Sequence, residues 1–355
     1  MSTVVSQGDA QATAAPSRRR GAAPVITLLL LSPIVTNLLF GSIPISNAFA
    51  VLPSAGAWGL GALIIRELAR RRGLEWPAIL TLGVALAVAE ECVFLQTSLL
   101  PLIGVDPDRV YGRAFGLNWP YLLWALGYES LWAVALPIRL VEWMYPECHD
   151  RAWMGRRGFA IGAVIFVLAG LLRWYGWTQV FVPQNFPAWA HRPSSVTIVT
   201  ALAAIGALLA AALSLTKGPG HAGTTTNPPP RPRLVGVSAL LVGLLWSGLL
   251  FLAYGAAPSV PVGIPLVAGV LLAGAAAFVA GGWTAHPGWG DLHALALTTG
   301  ALLASMAAGF LVLKGSGAGP VDFVGKGILN AIAVVELIRL GVRFSRDASP
   351  ARPEA

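Results

Sequence analysis

Apolar runs of about 20 residues, separated by short polar breaks, recur along this chain from residue 24 to residue 342. A helix of that length matches the hydrocarbon thickness of a bilayer. The pattern predicts ten helical spans, at roughly 24–41, 50–70, 77–99, 119–143, 158–178, 195–215, 234–255, 259–281, 290–313 and 324–342. The expected fold class is therefore all-α: a polytopic integral membrane helix bundle of about ten transmembrane helices. An even number of spans puts both termini on one side, here expected to be the cytoplasm.

The polar breaks divide the chain further. Residues 1–22 are Ser/Ala/Gln-rich, end in Arg18-Arg19-Arg20, and read as a disordered cytoplasmic tail. The run that follows is long and contains Pro33, with no convincing small-residue cleavage site, so it is read as an uncleaved first span rather than a signal peptide. Residues 216–233 are rich in Gly, Thr and Pro and read as a cytoplasmic linker. The linker separates a six-span part (23–215) from a four-span part (234–343), and residues 344–355 form a second cytoplasmic tail. The first part carries nearly all the intramembrane polar residues and most of the Trp and Tyr. The second is rich in small residues, as in Leu271-Leu272-Ala273-Gly274-Ala275-Ala276-Ala277, which suits close helix packing. It is read as a scaffold, with a surface for homo-oligomer contacts.

Composition supports the membrane reading, because only 11% of the 355 residues are charged and 56% are hydrophobic. A soluble domain carries about 25% charged residues. The net charge of +8 does not point to nucleic acid, since the basic residues sit at the ends of apolar runs. With both termini inside, Arg109, Arg113, Arg173, Arg192, Lys314 and Lys326 fall outside, and the other 18 of the 24 Lys and Arg fall inside. That bias agrees with the positive-inside rule. Cys92 lies at mid-span and Cys148 in a polar loop, so no disulfide is expected.

Against this background the pair Glu90-Glu91 stands out in the third apolar run. A charged side chain at mid-membrane costs about 2.5–3.5 kcal/mol on insertion scales. Helix rise places Glu90 roughly 13–14 Å below the outer end of its span and Glu129, in the next span, roughly 15 Å deep. Consecutive antiparallel spans pack together, so three carboxyl groups can meet at one level. Adjacent helical residues point about 100° apart, so one of Glu90 and Glu91 is expected to face a cavity and the other to accept a hydrogen bond from a neighbouring helix. Desolvation and mutual repulsion are expected to keep one acid protonated near neutral pH, as a general acid requires. Trp124, Tyr128 and Trp132 recur at helical spacing beside Glu129, with Trp119 and Tyr121 above them. They are expected to line the pocket, with Asn37 from the first span, where Pro33 frees a backbone carbonyl and bends the helix. Glu336 is expected to pair with Arg339 at i+3, and Arg66, Glu67, Arg139 and Glu142 to snorkel toward the inner surface. Aromatics in the outer loop 174–193 read either as an interfacial belt or as a lid over an outward cavity.

Other chemistry finds no support. None of the five histidines, His149, His191, His221, His286 and His293, is near mid-span, and no HExxH, phosphate-loop or nucleophile-elbow motif occurs. No metal and no cofactor is expected.

Glu90-Glu91-Cys92-Val93-Phe94-Leu95-Gln96 faintly resembles the first motif of the CAAX-protease and bacteriocin-processing membrane family, Glu-Glu-x-x-Phe-Arg. The two glutamates and the Phe match. Leu95 stands at the Arg position, and the family's later intramembrane histidines have no counterpart. Residues 28–160 also look like a group of uncharacterised bacterial multi-pass membrane proteins, through Ser32-Pro33, the stretch 63–71, Glu90-Glu91, the stretch 116–119 and the stretch 153–158.

The leading expectation is an integral enzyme of the cell membrane acting on a lipid, isoprenoid or other apolar small molecule. It is similar in general design to membrane-bound terpene cyclases: an embedded acid protonates an alkene or epoxide, and aromatic faces stabilise the cation. Glu90, Glu91 or Glu129 supplies the proton. The alternatives are a proton-coupled multi-pass transporter, since buried carboxylates relay protons in such proteins, and a non-catalytic scaffold or degenerate CAAX-protease-like protein.

Overall fold

The computed structural model describes residues 21–190, 192–215 and 229–347. The expected tail 1–22, linker 216–233 and tail 344–355 fall largely outside these residues, as does His191. Apart from a two-residue hairpin, every regular element is helical. The long helices are α1 (Ala22–Leu39), α2 (Ile45–Arg72), α3 (Trp76–Phe94), α4 (Trp119–Met144), α5 (Arg156–Asn185), α6 (Ser195–Ser214), α7 (Pro232–Ala253), α8 (Gly263–Thr284), α9 (Asp291–Gly315) and α10 (Pro320–Asp347). The hairpin pairs β1 (Arg113–Ala114) antiparallel with β2 (Leu117–Asn118) in the loop between α3 and α4.

Among the described residues, α1 to α9 are each long and apolar enough to cross a membrane. That is the make-up of a multi-pass membrane protein. The last helix, expected as a tenth span, is 28 residues long but carries Asp322, Lys326, Glu336, Arg339 and Arg343 along its length. Composition alone does not class it with the other nine.

α3 and α4 form the centre of the bundle, two-thirds buried, whereas α5, α6 and α8 are almost entirely exposed along their apolar lengths. Exposed Leu, Val and Ile around a helix are what a lipid-facing position requires. Gly83 lets α3 and α4 approach, because a Cβ there would lie 2.9 Å from the Ser130 Cα. Gly300 does the same for α9 against α7, where a Cβ would meet the Gly236 carbonyl oxygen at 2.1 Å. Small residues in the second part thus pack α7 on α9, as transmembrane helices commonly do. The Ala-rich stretch in α8 faces outward instead, with Leu271 and Phe278 exposed.

One apolar core crosses the boundary between the two parts. Trp124, Tyr128 and Trp132 of α4 pack with Trp246, Leu302 and Met306 of α7 and α9. A second core holds Leu63, Ile79, Leu82 and Ile138 within the first part.

At the opposite end of α2 lies a buried ionic clamp. Arg66 is fully buried. It donates to Glu142 (3.3 Å), Glu67 (3.2 Å) and the carbonyls of His149 and Arg151 (both 2.7 Å), with Trp153 stacked 3.5 Å away. Glu67 accepts the backbone N–H groups of Trp153 (2.7 Å) and Met154 (3.1 Å). The snorkelling expected of Arg66, Glu67 and Glu142 is therefore corrected. The loop after α4 folds back over these groups and supplies the hydrogen bonds that water would otherwise supply. Arg139 remains partly exposed and bridges to Asp291 of α9 at 3.1 Å. The Glu336–Arg339 pair forms as expected, at 2.5 Å on the surface.

Candidate proton site

Five wide, π-type helical turns occur in the described chain, all in α1 to α5: Ile34–Leu39, Ala55–Gly59, Glu90–Phe94, Glu129–Ala135 and Tyr175–Phe181. Such turns are rare and concentrate at functional sites. Two of them begin at the acidic residues singled out above.

Glu90, Glu91 and Glu129 are all buried. The two neighbours on α3 diverge, as helical geometry requires. Glu90 turns to α5 and accepts a 2.7 Å hydrogen bond from Arg173, whose guanidinium stacks 4.7 Å from the Trp58 ring. Glu91 turns to α4: it accepts from the Ser98 hydroxyl at 2.7 Å and its carboxyl faces that of Glu129. The Trp58 indole is turned toward Glu129. Even so, Trp58 Nε1, Glu129 Oε2 and Glu90 Oε1 have no hydrogen bond of acceptable geometry. Tyr121 and Cys92 lie within electrostatic reach of Glu91 and Glu129.

The cluster thus closes through four helices, α2, α3, α4 and α5. It contains three carboxyl groups and one cation, and that cation is committed to Glu90. The Glu91–Glu129 pair has no basic partner among the described residues. Two carboxylates about 4 Å apart would repel by about 4 kcal/mol at an effective dielectric of about 20. One proton held between them turns that repulsion into a hydrogen bond.

Most of the expected pocket wall lies elsewhere. Trp124, Tyr128 and Trp132 do stack as a ladder, with ring centroids 4.7 and 5.2 Å apart. But the ladder is sealed in the core shared with α7 and α9. The Trp132 indole donates to the Ala301 carbonyl at 3.0 Å, and Tyr128 donates to the Thr36 carbonyl at 2.9 Å. These side chains join the two parts of the chain, and of the three only Tyr128 lies within electrostatic reach of Glu129. Trp119 is part-exposed at the start of α4 and donates to the Ala114 carbonyl at 3.1 Å. Asn37 is buried in α1, donating to the Pro33 carbonyl at 3.1 Å and accepting from Ser42 at 3.2 Å. Of the expected wall, Tyr121 and Tyr128 stand near the carboxyl pair.

Three contributors were missed: Trp58, Ser98 and Arg173. Arg173, near the outer end of the expected span 158–178, has a side chain only 12% exposed. The available signal was charge: it is the lone cation within an apolar run. Lys326, also assigned outside, is buried too and caps the Leu39 carbonyl at the end of α1.

An open groove of about 560 Å³ lies on the surface between α3, α5 and α6. Phe94, four residues after Glu90, and Trp174, next to Arg173, contribute to its wall, with Leu171 and Ile198. The loop before α4 is tied to the segment after α5, where the Trp189 indole donates to the Val105 carbonyl at 2.8 Å. Among the described residues no group of three or more His, Cys, Asp or Glu is placed to hold a metal.

The fold and cluster define a multi-pass helical membrane protein with a buried, cation-poor carboxyl pair. No family model, no curated protein and no solved structure matches this chain. The motif resemblance around Glu90 thus rests on two glutamates and a phenylalanine.

Proposed function

We propose that the protein is an integral enzyme of the cell membrane, with ten spans and both termini in the cytoplasm, that acts on a lipid or isoprenoid by acid catalysis. The Glu91–Glu129 pair is the proton donor. The observation that carries this reading is the division of labour among the three acids: Glu90 has its own arginine, while Glu91 and Glu129 face each other with no cation between them, among the described residues. A carboxyl whose proton is held by a second carboxylate can release it to a substrate carbon and take one back at the end of turnover. Trp58, Tyr121 and Tyr128 are the aromatic groups near enough to stabilise positive charge. The side groove offers an apolar substrate entry from the bilayer.

The test is to express wild type, Glu91→Gln and Glu129→Gln in host cells and compare extracted lipids by mass spectrometry. A lipid species altered by wild type and restored by either variant is expected, with turnover lowered about 10²–10⁴-fold. Lipid profiles identical with and without the protein would refute the enzyme reading.

One observation favours a second reading. The sealed ladder leaves no aromatic chamber beside Glu129, which suits a proton-coupled carrier, where the pair only loads and unloads a proton. That reading predicts a proton flux in vesicles that Glu91→Gln abolishes, with no lipid product. Normal behaviour of all glutamine variants in both assays would leave the carboxyl groups as structural bonds between helices.

A further inference from the structure

The outer ends of α3, α5 and α6 enclose two adjoining depressions that share Arg192 and Pro193. The larger, about 560 Å³, is walled by Phe94, Leu171, Trp174 and Ile198, with Gln96 and Gln179 at its edge. The smaller, about 290 Å³, is lined by Gly116, Ser194 and Thr197 together with the exposed ring of Phe115. Their combined size falls in the range of small-molecule sites, about 300–1,000 Å³. Both linings mix apolar and polar groups: Gln96 and Gln179 stand beside Phe94, Leu171 and Ile198 in the larger, Ser194 and Thr197 beside the Phe115 ring in the smaller, and the Arg192 guanidinium lies at the junction.

Arg192 is exposed and has no hydrogen bond or ion pair among the described residues. The other guanidiniums of this half are engaged. Arg173 holds Glu90, and Arg113 donates to Asn118 and to the Leu99 carbonyl, both at 2.7 Å. A free cation beside hydroxyl groups selects an anionic head, because charge-assisted hydrogen bonds are the strong ones. The lower groove selects what sits beneath that head. Its helices α5 and α6 expose leucine and valine to the surroundings, so the opening is continuous with the bilayer interior. A chain of methylene groups can slide in from the side without crossing water.

We infer that this composite groove binds a single-chain lipid with an anionic head, carboxylate or phosphate. The head sits on Arg192 near Ser194 and Thr197, and the chain lies between Phe94, Leu171 and Ile198. The inference names the substrate class for the enzyme proposed above and rests on that reading for its role, but binding can be tested by itself. Phe94, four residues after Glu90, and Trp174, next to Arg173, form part of the wall, so the lipid chain lies on the turns of α3 and α5 that carry that pair.

The test uses the full protein in nanodiscs of zwitterionic lipid and a photoreactive palmitate carrying a diazirine in its chain. Labelled peptides are mapped, and labelling is competed with palmitate, hexadecyl phosphate and hexadecanol. Labelling is expected on the segments holding Phe94, Leu171 and Ile198, competed by both anionic amphiphiles and about tenfold less well by the alcohol, the scale of one charge-assisted contact. The two anionic competitors distinguish a carboxylate-type from a phosphate-type ligand. Arg192→Gln should weaken labelling by a similar factor, and Ile198→Trp, which fills the groove, should abolish it while the protein stays monodisperse. Labelling spread evenly over α8 and α10, equal competition by hexadecanol, or no effect of Arg192→Gln would overturn the inference. Glu91→Gln separates the two proposals. Retained labelling with lost turnover supports both. Lost labelling in wild type with intact turnover removes the ligand assignment alone. Retained labelling with unchanged turnover removes the acid mechanism alone.

Discussion

Removing Arg173 leaves Glu90 buried with one carboxylate oxygen newly unpaired and the other already so. Breaking a buried ion pair from one side costs about 3–5 kcal/mol, since an uncompensated charge remains. The geometry here belongs at the strong end: the bond is 2.7 Å long, Glu90 is fully buried, and the guanidinium also stacks on Trp58. Arg173→Met should therefore lower the unfolding free energy by about 3–5 kcal/mol, and Glu90→Gln by a similar amount, because it strands Arg173. The double variant removes both charges and should be no less stable than either single variant, so the coupling (the two single losses less the double's) should be at least about 3 kcal/mol. The assay is a double-mutant cycle on protein in nanodiscs, read by thermal or denaturant unfolding. Strictly additive losses, with coupling below about 0.5 kcal/mol, would refute the reasoning and mean that the pair is solvated.

The inner clamp makes a sharper chemical demand. Arg66→Lys should destabilise by about 2–4 kcal/mol despite keeping the charge, since one ammonium cannot reach Glu142, Glu67 and two loop carbonyls together; unfolding curves of the two proteins check this. Asp322, in the first turn of α10, accepts backbone N–H bonds from Ser46 (2.9 Å) and Gly319 (3.1 Å), which hold its carboxyl below the ordinary value of 3.8. A depressed folded value means the stabilisation is present above pH 3.8 and is lost as pH falls through that lower value. The stability gap between wild type and Asp322→Asn, followed by unfolding from pH 7 downward, should stay open to about pH 4 and close below it. A gap that widens on acidification would contradict the assignment.

What could be read from the chain follows from which interactions are local. The long apolar helices were legible because the length of each apolar run and the helix rise set their extent. The carboxyl cluster was legible because adjacent glutamates inside an apolar run need a reason, and consecutive spans are neighbours. Helical spacing correctly put Trp124, Tyr128 and Trp132 on one face. It could not say that α7 and α9, from beyond residue 229, would cover that face, so a core seam was read as a pocket wall. Arg173 was missed because its partner lies two spans earlier. Arg66 was misread for a similar reason: a cation near the end of a run fits snorkelling, unless a following loop folds back with its carbonyls. The groove at Arg192 depends on three helix ends and two loops meeting, which no single stretch of sequence encodes.

The central claim is that Glu91 and Glu129 hold one proton between them, the cluster's one cation being committed to Glu90. Infrared spectroscopy of the protein at neutral pH tests it most directly. A protonated-carboxyl C=O band that shifts in D2O and disappears in both Glu91→Gln and Glu129→Gln is the predicted result. Absence of that band in the wild type, with both groups absorbing as carboxylates, would contradict the account.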